Sequence, residues 1–184
     1  MTGKLPERPD FKALQMAAAT SADKRTMLLA LIGNLAFSWS NNESMFIYLI
    51  MLLLDTDETA AAVVFSSLNT TRARLDLIRR LALLRINDNT IATELDKLIA
   101  RFDASTRLRN EFNHAVFDVD ANGDITHTRS LRIIEKRGKL KFGQTQAVNN
   151  KRLAELSNAI TELGSLNRDI WDFLPRLQKH LHAT

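Results

Sequence analysis

The segment Arg109-Asn110-Glu111-Phe112-Asn113-His114 gathers an arginine, an asparagine and a histidine within six residues. The periodicity before it predicts that it closes a long helix. Side chains four apart share a helix face, so Asn110 and His114 stack on one side, and Arg107, Glu111 and His114 form a second row. Arg109 lies about 140° round from His114 at ~100° per residue, and its long side chain can still curl towards the imidazole where the helix ends. Carbonyls at a helix C-terminus favour a protonated imidazole. A histidine that exchanges a proton near neutrality, beside an arginine that holds a phosphate, is a minimal kit for RNA cleavage. His114 moves the proton of the 2′-hydroxyl or of the leaving group, and Arg109 stabilises charge growing on the phosphorane, with no metal ion or cofactor. The competing reading is a surface network of ion pairs, a common fate of such clusters.

The elements around this segment follow from patterning. Residues 1–20 read as a polar arm, with Pro6 and Pro9, followed by a short helix over 11–20. From there a single helical domain is expected over 21–184, entered through an N-cap at Ser21 or Asp23. Apolar residues recur at helical spacing from Lys24 to about Asp55, which predicts one helix of roughly 30 residues and ~45 Å. Gly33 and Ser40-Asn41-Asn42 are the places where it would bend. A second helix begins at Thr56 or Asp57, with Asp57 and Glu58 suited to its positive end, and carries five arginines, Arg72, Arg74, Arg79, Arg80 and Arg85. Asn87-Asp88-Asn89 breaks it. A third helix, capped by Thr90, runs to Val116 or Phe117. The period then changes: Ala115–Val119 and Ile125–Ile134 alternate, and Asn122-Gly123 between them suits a tight turn. A second turn at Lys136–Lys139 returns the chain through Leu140–Phe142, so a hairpin is expected over about 115–143. The last helix starts at Asn149 or Asn150 and meets Pro175, which ends or kinks it. The fold class expected is all-α: a four-to-five-helix antiparallel bundle with a small β-hairpin inserted before the last helix.

Arg109-Asn110, three residues, then His114 resembles the signature of the HEPN superfamily: arginine, four to six residues, histidine, with Asn, Asp or His favoured after the arginine. The plan over most of residues 24–175 is similar too. A long helix carries Trp39-Ser40-Asn41-Asn42-Glu43, an arginine-rich helix follows, the motif sits late in a third helix, and a hairpin and closing helix complete it. This resemblance implies a homodimer whose two motifs meet across the two-fold axis to form a metal-independent endoribonuclease site. Arg109 and His114 are then the catalytic pair and Asn110 their support. Toxins of toxin–antitoxin or defence pairs are the implied setting, with RNA as substrate and an antitoxin protein as partner. The superfamily also has non-catalytic members, so a dimeric binding or scaffolding module is the alternative.

Other residues bear on the choice. Glu43 sits between Trp39 and Phe46 in an apolar helix, and a buried carboxylate needs a partner. It is expected either to reach Arg109 or His114, or to lie with Asn41 and Asn42 on an exposed strip. Net charge is +4, all of it in residues 101–184, which carry 14 basic and 10 acidic residues. Arg129, Arg132, Lys136, Arg137, Lys139 and Lys141 on the hairpin are the better candidates for phosphate contacts, although exposed hairpins also carry cations to protect their edges. The arginines of the second helix are read either as a nucleic-acid groove or as a solvated face with Asp76.

Several classes drop out. No cysteine is present, which removes disulfides and thiolate metal sites. Asp118-x-Asp120-x-Asn122-Gly123-Asp124 imitates a calcium loop, but Arg129 stands where a bidentate glutamate is required. His180 and His182 have no companions for a metal site. There is no glycine-rich phosphate loop and no nucleophile triad. The most apolar run, Met45–Leu54, is too short to span a bilayer, and the polar N-terminus lacks a secretory pattern. The expected setting is the cytoplasm, away from membranes.

Overall fold

The computed structural model describes residues 24–120, 124–131, 133–136 and 138–183. The predicted arm and short helix of residues 1–20, the caps at Ser21 and Asp23, and the Asn122-Gly123 turn lie outside them. Six helices and five strands are described: α1 (Lys24–Ser44), α2 (Phe46–Leu54), α3 (Glu58–Ser67), α4 (Thr71–Arg85), α5 (Asn89–Asn113), β1 (Ala115–Val119), β2 (Ile125–Ser130), β3 (Ile133–Lys136), β4 (Lys139–Phe142), β5 (Thr145–Ala147) and α6 (Asn150–His182). Helices carry the chain, and the strands form a small antiparallel insert before the last helix.

Both of the first two expected helices are divided. The first breaks at Met45, whose N–H donates to the Asn42 carbonyl three residues back at 3.2 Å, a tightening of the spiral that starts α2 on a new path. Asp55 stops α2 in the left-handed region (φ 52°, ψ 51°), with Thr56 N–H reaching back to Met51 O. That is the Schellman geometry usually given to glycine. The second division falls at Leu68-Asn69-Thr70. Ser66, Ser67, Asn69 and Thr70 are weak helix formers, and the Thr70 hydroxyl accepts from Ala73 N–H at 3.1 Å, capping a fresh helix. Asp57 caps α3 in the same way at 2.8 Å. Asp88, not Thr90, caps α5, accepting from the N–H groups of Thr90 and Ile91. Asn149 caps α6 through Arg152 N–H. Pro175 lies inside α6, which continues past it to His182.

The described residues group into two compact units, one formed by 40–104 and 163–183, the other by 24–39 and 105–162. In the first, Phe46 meets Phe102 edge to face at 4.8 Å between centroids, within a core that includes Ile50, Ile78, Ile99 and Phe173. Tyr48 lies 6.1 Å from Trp171. Asn42 is buried and donates to Leu163 O at 3.0 Å. Arg101 pairs with Asp169 at 2.6 Å, and Arg176 forks onto both oxygens of Glu94. These bonds join the C-terminal half of α6 to α5.

The core of the second unit draws Leu28, Leu35 and Trp39 from α1, Phe112 from α5, Ile125 and Thr128 from β2, and Leu153 and Leu156 from α6. Its sheet has the order β1-β2-β5, all antiparallel, with an irregularity between Asp118 and Val119. β3 and β4 pair separately, Ile133 opposite Phe142 and Lys136 opposite Lys139. The single strand expected over Ile125–Ile134 is therefore two. On the returning side Gly143 adopts φ +71°, and a Cβ there would meet Ser130 O at 3.0 Å, so the backbones approach closely where the ribbon is interrupted.

Candidate active site

α5 delivers the Arg-Asn-His segment on its last turn. The helix ends at Asn113, and His114 N–H makes the closing bond to Asn110 O at 3.1 Å. The next residues are Ala115, Val116 and Phe117, which enter β1, so the expected helix end at Val116 or Phe117 comes earlier. Pairing with β2 takes over there, because extended backbone suits the branched valine. The His114 carbonyl accepts from Leu131 N–H at 3.4 Å, which ties the turn to the ribbon. The imidazole itself is exposed.

Arg109 is held from two sides. Its guanidinium lies 3.9 Å above the Trp39 ring, and Nη1 donates to Asn110 Oδ1 at 2.8 Å. Its Nε is buried without a hydrogen-bond partner. Trp39 is itself fixed: it is buried, and its Nε1 donates to Thr106 Oγ1 at 3.1 Å. A cation stacked on an indole face keeps most of its N–H edge available to an anion. Asn110 touches Arg109 directly; Arg109 stands near the end of α5 and His114 is the first residue past it.

Glu111 turns to a residue that sequence reasoning missed. Arg152, in the first turn of α6, has a side chain only 9 % exposed and binds Glu111 through Nη2 and Glu155 through Nη1 at 2.7 Å. It also lies 4.6 Å above the Phe112 ring. Burial pulls this guanidinium down, but the hydrogen bonds and charges of Glu111 and Glu155 outweigh it, so Arg152 is held above its ordinary value. Nothing local marks Arg152 in the sequence, because Glu111 is 41 residues away. Arg107 is exposed and does not figure in this network.

Glu43 is paired, but with α4. Thr71 Oγ1 donates to it at 2.6 Å and Arg74 Nη1 lies at 2.9 Å. Neither sequence expectation described this arrangement, since its carboxylate is neither on an exposed strip nor bonded to the motif. Arg74 in turn stacks 4.0 Å over Phe65. Arg79 faces Asp76 at 3.6 Å. Of the hairpin cations, Arg129 is spent on Asp118 at 2.5 Å and Lys139 is exposed. Lys136 stands in β3 opposite Lys139 and Lys141 in β4 opposite Ile134, while Arg132 and Arg137 lie outside the described residues. Asp120 closes the calcium-like loop on itself, accepting from Asp124 N–H at 3.0 Å.

Among the described residues, no three His, Asp or Glu side chains gather in a way that could hold a metal ion, and no helix is long and apolar enough to cross a membrane. A shallow recess bounded by Asn89, Thr90, Thr93, Glu94 and Lys97 lies at the end of α5 opposite the motif, and its carboxylate is already tied to Arg176. No family model, curated protein or solved structure matches the chain.

Proposed function

We propose that this protein is a HEPN-type, metal-independent endoribonuclease that works as a homodimer, with Arg109 and His114 as its catalytic residues. The observation that supports this reading is the fixed guanidinium of Arg109, stacked on Trp39 and bonded to Asn110, with an exposed imidazole five residues on. In this mechanism the imidazole of one His114 takes the proton of the ribose 2′-hydroxyl. The 2′-oxygen forms a bond to phosphorus, and the bond from phosphorus to the 5′-oxygen breaks. The second copy's His114 protonates that leaving oxygen. The products are a 2′,3′-cyclic phosphate and a 5′-hydroxyl. Arg109 contributes Nη2 to the phosphorane oxygens, and its stacked geometry lowers the reorganisation needed when charge develops. The hairpin cations Arg132, Lys136, Arg137, Lys139 and Lys141 would hold the backbone of the RNA, and Arg129 would join them only by exchanging Asp118 for a phosphate. In the cell this activity would act in the cytoplasm and be restrained by an antitoxin protein.

A second reading is favoured by the same contacts. An arginine already engaged by Trp39 and Asn110 can serve the packing of the helices alone, which would make the chain a non-catalytic binding module. Incubation of a mixed RNA pool in excess EDTA separates the two. Under the nuclease reading the wild-type chain leaves cyclic phosphate ends and His114→Ala leaves the pool intact. If neither chain cuts, the binding-module reading stands.

A further inference from the structure

The most exposed large apolar side chains of the described chain are Leu83 and Leu84, at 85 % and 80 %, on the last turn of α4. α4 buries Leu75 and Ile78 on its inner side. On its outer side Arg72, Asp76, Arg79 and Leu83 follow one helical row, and Arg80 and Leu84 follow the next. Arg72 and Arg80 are exposed and form no ion pair among the described residues, whereas Arg79 has Asp76. Arg72 stands in the first turn, where no acidic residue is present and where a cation opposes the helix dipole. Two leucines held in water and an arginine placed against the dipole are local costs that a partner of suitable chemistry would remove.

We propose that this outer stripe of α4 docks a segment of another protein that is acidic and carries apolar side chains at helical spacing. The surface is independent of the Arg109–His114 reading and goes beyond it. Charge complementarity selects the occupant: carboxylates answer Arg72 and Arg80, while apolar groups cover Leu83 and Leu84. A nucleic acid would use the arginines and leave both leucines in water. A second copy packed with its α4 parallel to this one would set arginine against arginine, and one packed antiparallel over the whole helix would set Arg72 against Leu83 and Leu84. A lipid surface asks for a broader apolar face than two leucines provide.

The test is a display library of random peptides about 16 residues long, enough to follow α4 at ~1.5 Å per residue. It is selected on the wild-type chain and counter-selected on Leu83→Ser/Leu84→Ser. The expected peptides are net acidic with apolar residues three and four apart. They should bind wild type at least about tenfold more tightly than the leucine variant or Arg72→Glu/Arg80→Glu, a difference of ~1.4 kcal/mol, and weaken as salt is raised. Thermal melts check folding, and Leu83→Ala/Leu84→Ala replaces the serine variant should that one melt early. The proposal is overturned if the selected peptides are neutral or basic, or if they bind the leucine variants equally. It is overturned as well if leucine-dependent binding is found only with phosphatidylglycerol vesicles, if it reflects self-association of the chain, or if an RNA oligomer occupies the arginines with both leucine variants unaffected.

Discussion

His114 and Arg109 stand in different surroundings, and their removal should separate catalysis from stability. His114 is exposed, so His114→Ala should leave the unfolding free energy from urea titration within ~0.5 kcal/mol of the wild type. Arg109→Ala removes the stack on Trp39 and the bond to Asn110, at a cost of about 1–2 kcal/mol. Under the nuclease reading both substitutions abolish cleavage. An Arg109→Ala chain that is destabilised yet cuts normally would confine the arginine to packing. Asp88 offers a pH test on a different residue. The N–H groups of Thr90, then Ile91, hydrogen-bond its carboxylate and hold it below the ordinary aspartate range. A lowered folded value means that the cap is fully effective above the ordinary range and is lost as pH falls through the lowered one. Asp88→Asn keeps the geometry of a cap without the charge, so the fall in urea midpoint between pH 6 and pH 3 should be smaller in the variant. An equal fall in both chains would remove Asp88 from the acid response.

At the scale of elements, the same substitution should have opposite signs at different glycines. Gly143→Ala places a Cβ 3.0 Å from Ser130 O on a backbone at φ +71°, which should cost about 1–3 kcal/mol. Gly33→Ala in α1 and Gly164→Ala in α6 meet nothing within 4 Å and should each add up to about 1 kcal/mol. Chemical denaturation of the three variants checks both signs. Glu111 and Glu155 form a second contrast. Both bind Arg152, but Glu111 is the more enclosed, at 27 % against 43 % exposed. Glu111→Ala should cost about 1.5–3 kcal/mol, as a charged hydrogen bond with a buried partner does, and Glu155→Ala about 1 kcal/mol or less. Equal losses would mean that the two carboxylates share Arg152 evenly. The sequence made helix, ribbon and helix legible because periods of 3.6 and 2 differ over long stretches. It marked a bend at Ser40-Asn41-Asn42, just before the division at Met45, but not that the helix divides there or at Leu68–Thr70, since apolar spacing runs through both and only a cap or a tightened turn separates the pieces. Glu43 was recognised as a carboxylate needing a partner, but Arg74 lies 31 residues on, and nothing in a local pattern selects it over Arg109. Arg152 was missed for the same reason.

For the whole molecule, the two tryptophans are placed as separate reporters, Trp39 in one compact unit and Trp171 in the other. α1, α5 and α6 each run from one unit into the other, so a helix melted in one is left as a frayed end in the other. Trp39→Phe and Trp171→Phe, each followed by fluorescence of the remaining tryptophan, should therefore report the same urea midpoint as far-UV circular dichroism of the same variant. Separate midpoints would make the units independent in folding. The reach of α6 has a further consequence. Within the first unit it supplies Asp169 to Arg101, Arg176 to Glu94 and the Leu163 carbonyl to Asn42, across separations of 68, 82 and 121 residues. Pairings this distant in sequence form late and slowly. On the ribosome, α2 to α5 emerge long before their partners, with Phe46, Ile78 and Phe102 waiting for a helix that is still being translated. The unit is completed only once α6 has emerged, and the interval before then is when the nascent chain most needs a chaperone to cover its apolar surface.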